Sequence, residues 1–430
     1  MKQYKESGTQ GIGLIPHSWD SKQLGIFFSE NRRANSYLES VTALQFKYGE
    51  IIQKPSNGRE LSDKDKELLS KYTVIEPGDV VVNGLNLNFD LKSLRIAIAK
   101  EDGIITSAYI VLRPRKGVNP EYYNYVLKAL DFQKILHGMG EGIRLTLSYD
   151  ELKKLNVPAP DAAIQTAIVS YLDAKCGEID SLIGLQEQMI EKLKAYKQSV
   201  ITEAVTKGLD PNAKLVPSGI DWIGEIPEGV KLVKLSMLTS KIGSGSTPRG
   251  GSSIYVKDGI KFLRSQNVYC EGFDLSDVAY ITENIDEEMS GTRVRVGDVL
   301  LNITGGSIGR CYYVDESLGR ANVNQHVSIV RPAKIETKYL KYYLQSDCGQ
   351  LQIALLQTGG NREGLSAAAL SQFTIIYPSK NEQQAIASYL DEKCADIDHL
   401  IALKQKKIDS LKEYKKSVIY EAVTGKTIIE

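Results

Sequence analysis

The residue types most often used for catalysis and metal binding are few in this sequence and are not grouped. Its four histidines are scattered without H-x-x-x-H spacing: His17, His137, His326 and His399. The five cysteines are far apart and include no C-x-x-C pair, so neither a zinc site nor a disulfide framework is indicated. The glycine-rich stretch GSGSTPRGGSS at 243–253 lacks the G-x-x-x-x-G-K-[ST] spacing of a phosphate-binding loop. A catalytic site is therefore not predicted.

Polar side chains that can contact the edges of DNA bases are frequent between the hydrophobic runs. Arginine can form two hydrogen bonds with guanine in the major groove, and asparagine or glutamine can do so with adenine. The candidates in the first half of the chain are Arg32, Arg33, Gln45, Asn83, Asn86, Arg95 and Arg144. Those in the second half are Thr247, Arg249, Ser265, Gln266, Asn267, Asn302, Thr304, Arg310, Asn324, Gln325, Asn361 and Arg362. Asparagine is also a common turn former, so each residue alone is a weak signal.

The sequence repeats itself at an offset close to 218 residues. Residues 165–206 and 383–424 are identical at 26 of 42 positions without a gap. Arg144 and Arg362 both follow a glycine by two residues at equivalent positions, which favours a shared role in binding or in a structural ion pair. Because this period is far too long for a solenoid, it indicates tandem duplication of a whole domain followed by a helix.

The closely matching segments predict two long helices. Their apolar residues return every three or four positions, and Gly208 and Gly425 follow the last of these, as is typical of helix ends. The residues predicted to join the helices are Ile179, Leu182, Leu193, Tyr196, Ile397, Leu400, Leu411 and Tyr414. Since the apolar strip is narrow and the segments share a sequence, the simplest pairing is an antiparallel coiled coil. The alternative is that each helix packs only on its own domain.

The remaining part of each copy predicts a domain of mixed helix and strand. Short apolar runs such as DVVVNGL and GDVLLNITG lie between Gly, Asn and Pro residues, which is typical of strands. The predicted fold class is α+β: two mixed α/β domains related by pseudo-twofold symmetry and separated by two long antiparallel helices forming a coiled coil. The predicted boundaries are 1–160 for the first domain, 161–208 for the central helix, 209–378 for the second domain and 379–430 for the C-terminal helix.

Composition restricts the class of partner. The 53 basic residues are balanced by 53 acidic ones, so a uniformly basic nucleic-acid binder is excluded and an anionic partner would meet local patches. No stretch approaches the roughly 18 uncharged apolar residues of a membrane-spanning helix, and the opening MKQYKESG lacks the apolar region of a secretion signal. We therefore expect a cytoplasmic protein with no membrane partner.

Several motifs resemble the specificity (S) subunits of type I restriction-modification enzymes. The segment SGIDWIGEIPEGVKLVKL at 218–235 is similar to the opening of their target-recognition domains. Five further motifs come in the family's usual order: STP (246–248), FLRSQNV (262–268), GDVLLNITGGSIGR (297–310), YLKYYLQS (339–346) and P-x-x-x-E-Q-x-x-I (378–386). The resemblance covers nearly the whole chain. The first copy departs more from the pattern, because it opens with SGTQGIGLIPHSW and has no STP loop after Leu24.

The resemblance implies a non-catalytic DNA-specificity subunit. Each target-recognition domain would read one half of a bipartite, asymmetric sequence, and the paired helices would set the gap and dock the modification subunits. The implied partners are double-stranded DNA, two modification (methyltransferase) subunits acting on adenine, and restriction subunits that translocate and cleave. No cofactor is expected in this chain, whereas S-adenosylmethionine, ATP and Mg²⁺ are implied for the partner subunits.

Two other functions remain open from the sequence. The first is a duplicated scaffold that binds proteins or glycans through its loops and uses the coiled coil as a spacer. The second is an enzyme in its own right. Salt-dependent binding to duplex DNA would favour the specificity subunit over the scaffold, because phosphate contacts release counterions.

Overall fold

The structure is a computed structural model that describes residues 3–9, 11–47, 49–55, 60–87, 94–140, 145–357, 364–427 and 429. The chain forms two units. The first contains residues 1–187 and 406–430, and the second contains residues 188–405. Each unit therefore includes a stretch of both long helices.

The first unit is built from short strands and helices. Its described strands are β1 (Tyr4–Glu6), β2 (Leu14–Pro16), β3 (Asp20–Gln23), β4 (Phe28–Glu30), β5 (Leu44–Lys47), β6 (Glu50–Gln53), β7 (Thr73–Ile75), β8 (Val80–Val82), β9 (Ile96–Ile98), β10 (Gly103–Ile105), β11 (Ile110–Pro114) and β12 (Asn156–Ala159). Its helices are α1 (Leu24–Phe27), α2 (Asp63–Ser70), α3 (Pro120–Phe132), α4 (Tyr149–Leu152) and the first part of α5 (Ala162–Lys207), with a 3-10 turn at Ile135–Gly138. Helix α3 begins where the Asn119 side chain accepts a hydrogen bond from the Tyr122 amide, 3.1 Å away.

The central sheet of the first unit has the antiparallel order β4-β11-β8-β9. Both of its faces are covered. Val80 and Val82 pack on one side with Tyr122 and other residues of α3, while Val81 packs on the other side with Ile105. Burial of both faces of the sheet explains why β8 is apolar at three consecutive positions.

The second unit repeats this plan. Its strands are β13 (Leu215–Pro217), β14 (Glu225–Pro227), β15 (Lys231–Lys234), β16 (Thr239–Ser244), β17 (Ile260–Leu263), β18 (Ala279–Ile281), β19 (Val299–Asn302), β20 (Cys311–Tyr313), β21 (Ala321–Val323), β22 (Val327–Pro332) and β23 (Thr374–Tyr377). Its helices are α6 (Leu235–Leu238), α7 (Glu283–Glu288), α8 (Thr337–Gln345), α9 (Asp347–Leu356), α10 (Ala367–Ser371) and the first part of α11 (Lys380–Val423). Its 3-10 turns lie at Gly251–Ile254, Ser265–Asn267, Ser290–Thr292, Gly305–Ser307 and Glu316–Leu318.

The central sheet of the second unit has the equivalent order β16-β22-β19-β20, again antiparallel. A second sheet, β18-β17-β21, pairs β17 with β21 in parallel. Leu301 packs towards α8, whereas Leu300 packs with Leu263 of the second sheet. Packing on both sides of the sheet holds in place the loop that follows β19 and the loop that precedes β22.

The two long helices, α5 with 46 residues and α11 with 44, carry a buried stripe at helical spacing. Its most buried members are Ile168, Leu172, Cys176, Ile179, Ile190, Ile201, Ala204 and Val205 in α5, and Ile386, Leu390, Cys394, Ile397, Ile408, Leu411, Val418, Ile419, Ala422 and Val423 in α11. Gly208 and Gly425 then adopt positive φ angles of 75° and 69°, so the left-handed conformation that ends a helix coincides with glycine.

The residues predicted to join the helices fall into two groups. Ile179, Ile397 and Leu411 are buried and Leu193 is half-buried. The other four are at least 41% exposed and lie off the buried stripe, which is a correction to the sequence prediction: Leu182, Tyr196, Leu400 and Tyr414. Since they belong to the same apolar runs, periodicity alone could not separate them from the stripe.

Each unit contains an ion pair between α5 and α11. In the first unit Lys415 Nζ lies 2.7 Å from Asp180 Oδ2, and in the second Lys197 Nζ lies 2.7 Å from Asp398 Oδ2. Asp398 and Lys415 are the repeat equivalents of Asp180 and Lys197 at the offset of 218. The same ion pair therefore occurs in both units. The aspartate is on α5 and the lysine on α11 in the first unit, and the reverse holds in the second.

The mixture of strands and long helices agrees with the predicted α+β class. Within the described residues, no helix is long and apolar enough to cross a membrane. The five cysteines are unpaired thiols, and burial raises the pKa of Cys176, Cys348 and Cys394.

Candidate nucleic-acid interface

Three loops of the second unit meet at one end of its central sheet. They follow β16, follow β19 and precede β22. The strand register places them together, because Asn302 at the end of β19 faces Val327, and Ser244 at the end of β16 faces Ser328. Most of the polar residues predicted for the second domain lie in these loops or in the nearby 3-10 turn at Ser265–Asn267.

Four polar side chains from these loops form a chain of hydrogen bonds. Thr247 donates to the Oε1 atom of Gln325, and Gln325 Nε2 lies 3.0 Å from His326 Nε2. His326 Nδ1 in turn lies 2.6 Å from Thr304 Oγ1. Thr247 and Gln325 are exposed, whereas Thr304 and His326 are half-buried. The structure therefore brings together three of the predicted residues and adds His326.

The other candidates of the second unit are Arg310 and residues of the turn at Ser265–Asn267 and of the loop after β16. Arg310 packs on Tyr269. Its guanidinium lies 4.9 Å from the centre of the Tyr269 ring, which is a cation–π contact that orients the side chain. Arg310 is half-buried, and so is Ser265, whose carbonyl accepts a hydrogen bond from Asn302 Nδ2 at 2.7 Å. Gln266 is exposed and bonds to Asp277 at 2.7 Å. Arg249 is also exposed, in the loop after β16.

Three asparagines predicted to contact bases are buried in the second unit and have structural roles, which corrects the prediction. Asn302 is fully buried and holds the carbonyls of Ser265 and Val268. Asn267 accepts from the Arg264 amide at 2.9 Å, and Asn324 accepts from the His326 amide at 3.1 Å. Each side chain stabilises a turn whose neighbouring residues are the exposed ones. Asn361 and Arg362 lie outside the described residues.

In the first unit the predicted residues are less concentrated. Arg32 is exposed and pairs with Glu30 at 2.8 Å, while Arg33 pairs with Glu39 and with Glu76. Gln45 is half-buried in β5. Asn83 is half-buried and accepts a hydrogen bond from the Leu85 amide, and Asn86 is exposed with a positive φ of 52°. Arg144 lies outside the described residues.

Arg95 is a further correction, because its side chain is only 1% exposed. It donates to the carbonyls of Asn83 and Leu85 at 3.0 and 2.8 Å, so it braces the loop after β8 from within. The backbone makes Arg95 the counterpart of Arg310: the Asn83 amide bonds to the Arg95 carbonyl as the Asn302 amide bonds to the Arg310 carbonyl. Equivalent arginines are thus fully buried in one unit and only half-buried in the other.

A buried ion pair stabilises each central sheet at the end opposite to these loops. Arg331 Nε and Nη2 lie 2.7 and 2.8 Å from the two oxygens of Asp298, and Arg113 pairs in the same way with Asp79. The carboxylates are almost fully buried and raise the pKa of both guanidinium groups by hydrogen bonding. These arginines are therefore committed to the fold and are not free to bind DNA.

Sequence reasoning missed His326 and Tyr269 as members of the candidate site. The sequence prediction considered His326 only as a possible metal ligand or catalytic residue, although it directly follows the candidate Gln325. Its position next to a predicted polar loop residue and before a strand was the available signal. For Tyr269 the chain offered no signal beyond proximity to Ser265-Gln266-Asn267.

Comparison with known proteins gives this arrangement a class. Residues 227–413 match the family model described as the type I restriction modification DNA specificity domain. The type I restriction enzyme MjaVIII specificity subunit of Methanocaldococcus jannaschii is 26% identical, over 84% of this chain and 83% of the relative. The type I restriction enzyme EcoBI specificity subunit of Escherichia coli is 24% identical, over 65% of this chain and 60% of the relative.

A solved structure shares the fold. It comes from a study of complex assembly and conformational transition in the type I R-M system, and it superposes with a TM-score of 0.69 at 16% identity. The match covers 95% of this chain and 98% of the other. The family model and the relatives thus show that this chain is similar, over most of its length, to the specificity subunits of type I restriction enzymes. This is the family predicted from the sequence motifs.

Proposed function

We propose that this chain reads a bipartite, asymmetric DNA sequence and directs the modification and restriction subunits of a type I complex to it. Each unit would read one half of the site through the loops at the end of its central sheet. The observation that carries the proposal is the convergence of polar side chains from separate loops of the second unit, of which Thr247, Gln266 and Gln325 are exposed and Thr304 and Arg310 are half-buried.

The chemistry of these side chains suits direct readout. An exposed glutamine can form two hydrogen bonds with adenine, an arginine can do so with guanine, and threonine hydroxyls contact either base. The buried asparagines that hold the turns beside them favour a preorganised surface. The asymmetry of the site is supported by the difference between the units, because Arg95 is fully buried where Arg310 is partly exposed.

The helices are proposed to pair as an antiparallel coiled coil that sets the gap and holds two modification subunits. The Asp180–Lys415 and Lys197–Asp398 pairs support this pairing, since each joins α5 to α11 at equivalent positions. Large apolar side chains also remain exposed on both helices: Leu182, Leu185, Met189, Tyr196, Leu400, Leu403 and Tyr414. Exposed apolar residues at repeated positions are typical of protein-binding surfaces.

The modification subunits would bind S-adenosylmethionine and methylate adenine, and the restriction subunits would use ATP and Mg²⁺. This chain would contribute recognition and no cofactor. The domain boundaries at 160, 208 and 378 are part of the same proposal, with each long helix serving as a segment between or after the recognition domains.

The test is binding of the assembled chain and modification subunits to a duplex that carries the cognate site. Scrambling either half of the site should reduce affinity by about 1,000-fold or more, which is the usual lower range of specific over non-specific binding. Scrambling the gap at constant length should change it little. The affinity for every duplex should fall with rising salt. Equal affinity for cognate and scrambled duplexes would contradict the proposal.

A further inference from the structure

The side chains of Thr247, Gln325, His326 and Thr304 form one continuous chain of hydrogen bonds at the end of the central sheet. Its members come from three loops, and each has its position set by the backbone. The Val327 amide bonds to the Asn324 carbonyl at 3.1 Å, which closes a turn with Gln325 and His326 at its tip. The Ile303 amide bonds to the His326 carbonyl at 3.0 Å and ties this turn to the end of β19.

Thr247 reaches this turn because the loop after β16 packs directly against the backbone of the turn. A Cβ atom on Gly245 would lie 2.0 Å from the Val323 carbonyl oxygen and 2.5 Å from that of Asn324. Only glycine permits this approach of the two backbones. Two residues later, the Thr247 hydroxyl meets the Gln325 amide oxygen.

The contacts hold the Gln325 amide from both ends. One end meets the Thr247 hydroxyl, and the other lies 3.0 Å from His326 Nε2. On the far side of the ring, His326 Nδ1 lies 2.6 Å from Thr304 Oγ1. Both hydroxyls can donate or accept, so the chain of hydrogen bonds is complete with either end of the amide towards His326. His326 and Thr247 therefore fix the position and the plane of the amide.

One acceptor site and one donor hydrogen remain on the exposed Gln325 amide after these contacts. Adenine presents one donor, N6, and one acceptor, N7, in the major groove, and glutamine binds both. An amide whose plane is already held in place selects this pattern with little loss of rotamer entropy on binding.

The first unit keeps the turn and changes the residues at its tip. The Tyr109 amide bonds to the Thr106 carbonyl at 3.3 Å, and the Thr106 side chain accepts from the Ala108 amide at 3.4 Å, as Asn324 does from His326. The tip residues there are Ser107 and Ala108, both exposed. A retained scaffold with different exposed side chains is what two domains reading different bases require.

We infer that Gln325 reads one adenine in the half-site of the second unit, and that His326 is the positioning residue that fixes its amide. This inference deepens the proposed function and depends on it. Thr304 holds the His326 ring, and Thr247 holds the other end of the Gln325 amide. His326 does not need to touch the DNA.

The experiment measures affinities of the complete complex, chain plus modification subunits, for duplexes substituted at each base pair of the site in turn. For the unaltered chain, one adenine position in one half-site should show a preference of about tenfold or more, the range of a bidentate pair. Gln325→Ala should reduce the preference at that position to about twofold and leave preferences at the other positions intact.

Two variants of His326 separate positioning from a merely structural role. His326→Phe keeps the ring but removes both nitrogens, so it should lower the preference at the same position as Gln325→Ala. His326→Gln can place an acceptor oxygen near the lost Nε2 atom and should restore most of the preference. Asn284→Ala, an exposed change on α7, is the matched control and should leave every position unchanged.

The outcomes distinguish this inference from the proposed function. If the unaltered complex shows no preference at any position, the proposed function fails. If it shows preferences but Gln325→Ala alters none, or weakens all equally, the reading role of Gln325 is wrong. If His326→Phe keeps the full preference that Gln325→Ala loses, the positioning role is wrong. Melting temperatures and co-purification with the modification subunits identify any variant that has not folded.

Discussion

At the scale of single residues, the polar candidates separate into readers and supports. Asn267, Asn302 and Asn324 were predicted to contact bases, yet their amides hold backbone turns inside the second unit. Sequence identifies the residue type and the loop, but the direction of a side chain depends on tertiary contacts that only the fold supplies. Thr247 and Gln325 were predicted for the same reason and do lie exposed.

Lys341 on α8 is buried without a direct salt bridge among the described contacts. Its Nζ atom lies 3.2 Å from the centre of the Tyr342 ring and 5.5 Å from that of Tyr312. Burial lowers the pKa of Lys341 from 10.5 to about 8. The unfolded chain therefore binds this proton more tightly than the folded chain does. Ionised Lys341 destabilises the fold fully below pH 8, and the penalty disappears as the pH rises towards 10.5.

We expect Lys341→Met to raise the free energy of unfolding at pH 7 by on the order of 2 kcal/mol. The difference between variant and unaltered chain should shrink between about pH 8 and 10, because only the unaltered chain gains stability there. Urea unfolding at a series of pH values measures this, and tyrosine and cysteine ionisation cancels in the difference. Lys214→Met, at an exposed position, is the control. A difference independent of pH would contradict the assignment.

At the scale of elements, the long helices were the most predictable part of the chain. Their 3.6-residue periodicity and terminal glycines predicted both helices, because these signals are local. The face that is buried was predicted only in part. Ile179 and Ile397 are buried, whereas Leu182 and Leu400, three residues further on, are exposed. The apolar residues of each helix cover a wider face than the buried stripe. Some of them are therefore buried and others are exposed, and residue type alone does not distinguish the two groups.

The ion pair between α5 and α11 in the second unit tests the proposed helix pairing. Lys197 is 19% exposed and Asp398 is 45% exposed, so we expect a coupling free energy of about 0.5–1 kcal/mol. The measurement is a double-mutant cycle with Lys197→Ala and Asp398→Ala, followed by urea unfolding. The Lys194–Glu191 pair, which lies within one helix and is more exposed, should give a smaller coupling. Equal couplings would count against the pairing.

At the scale of the whole molecule, the internal repeat alone is sufficient to predict two similar domains. The two central sheets have the same strand order, and equivalent Arg–Asp pairs stabilise them. The recognition residues of the first unit were harder to predict, because its opening lacks the family's usual motif and Arg95 is turned inwards. Duplication preserves the scaffold, which repeats in sequence, while the loops diverge and their side-chain directions depend on the fold of each unit.

The central claim is that this chain supplies the sequence specificity of a modification complex, one half-site from each domain. Single-molecule sequencing of genomic DNA tests it directly in cells that carry the modification subunits with this chain or without it. A third set of cells carries the chain with residues 209–378 replaced by the corresponding residues of a type I specificity subunit. We predict methylated adenines in one two-part motif with a fixed gap, present only with the chain, and a change in one part alone after the replacement. The same motif without the chain, or a change in both parts, would contradict the claim.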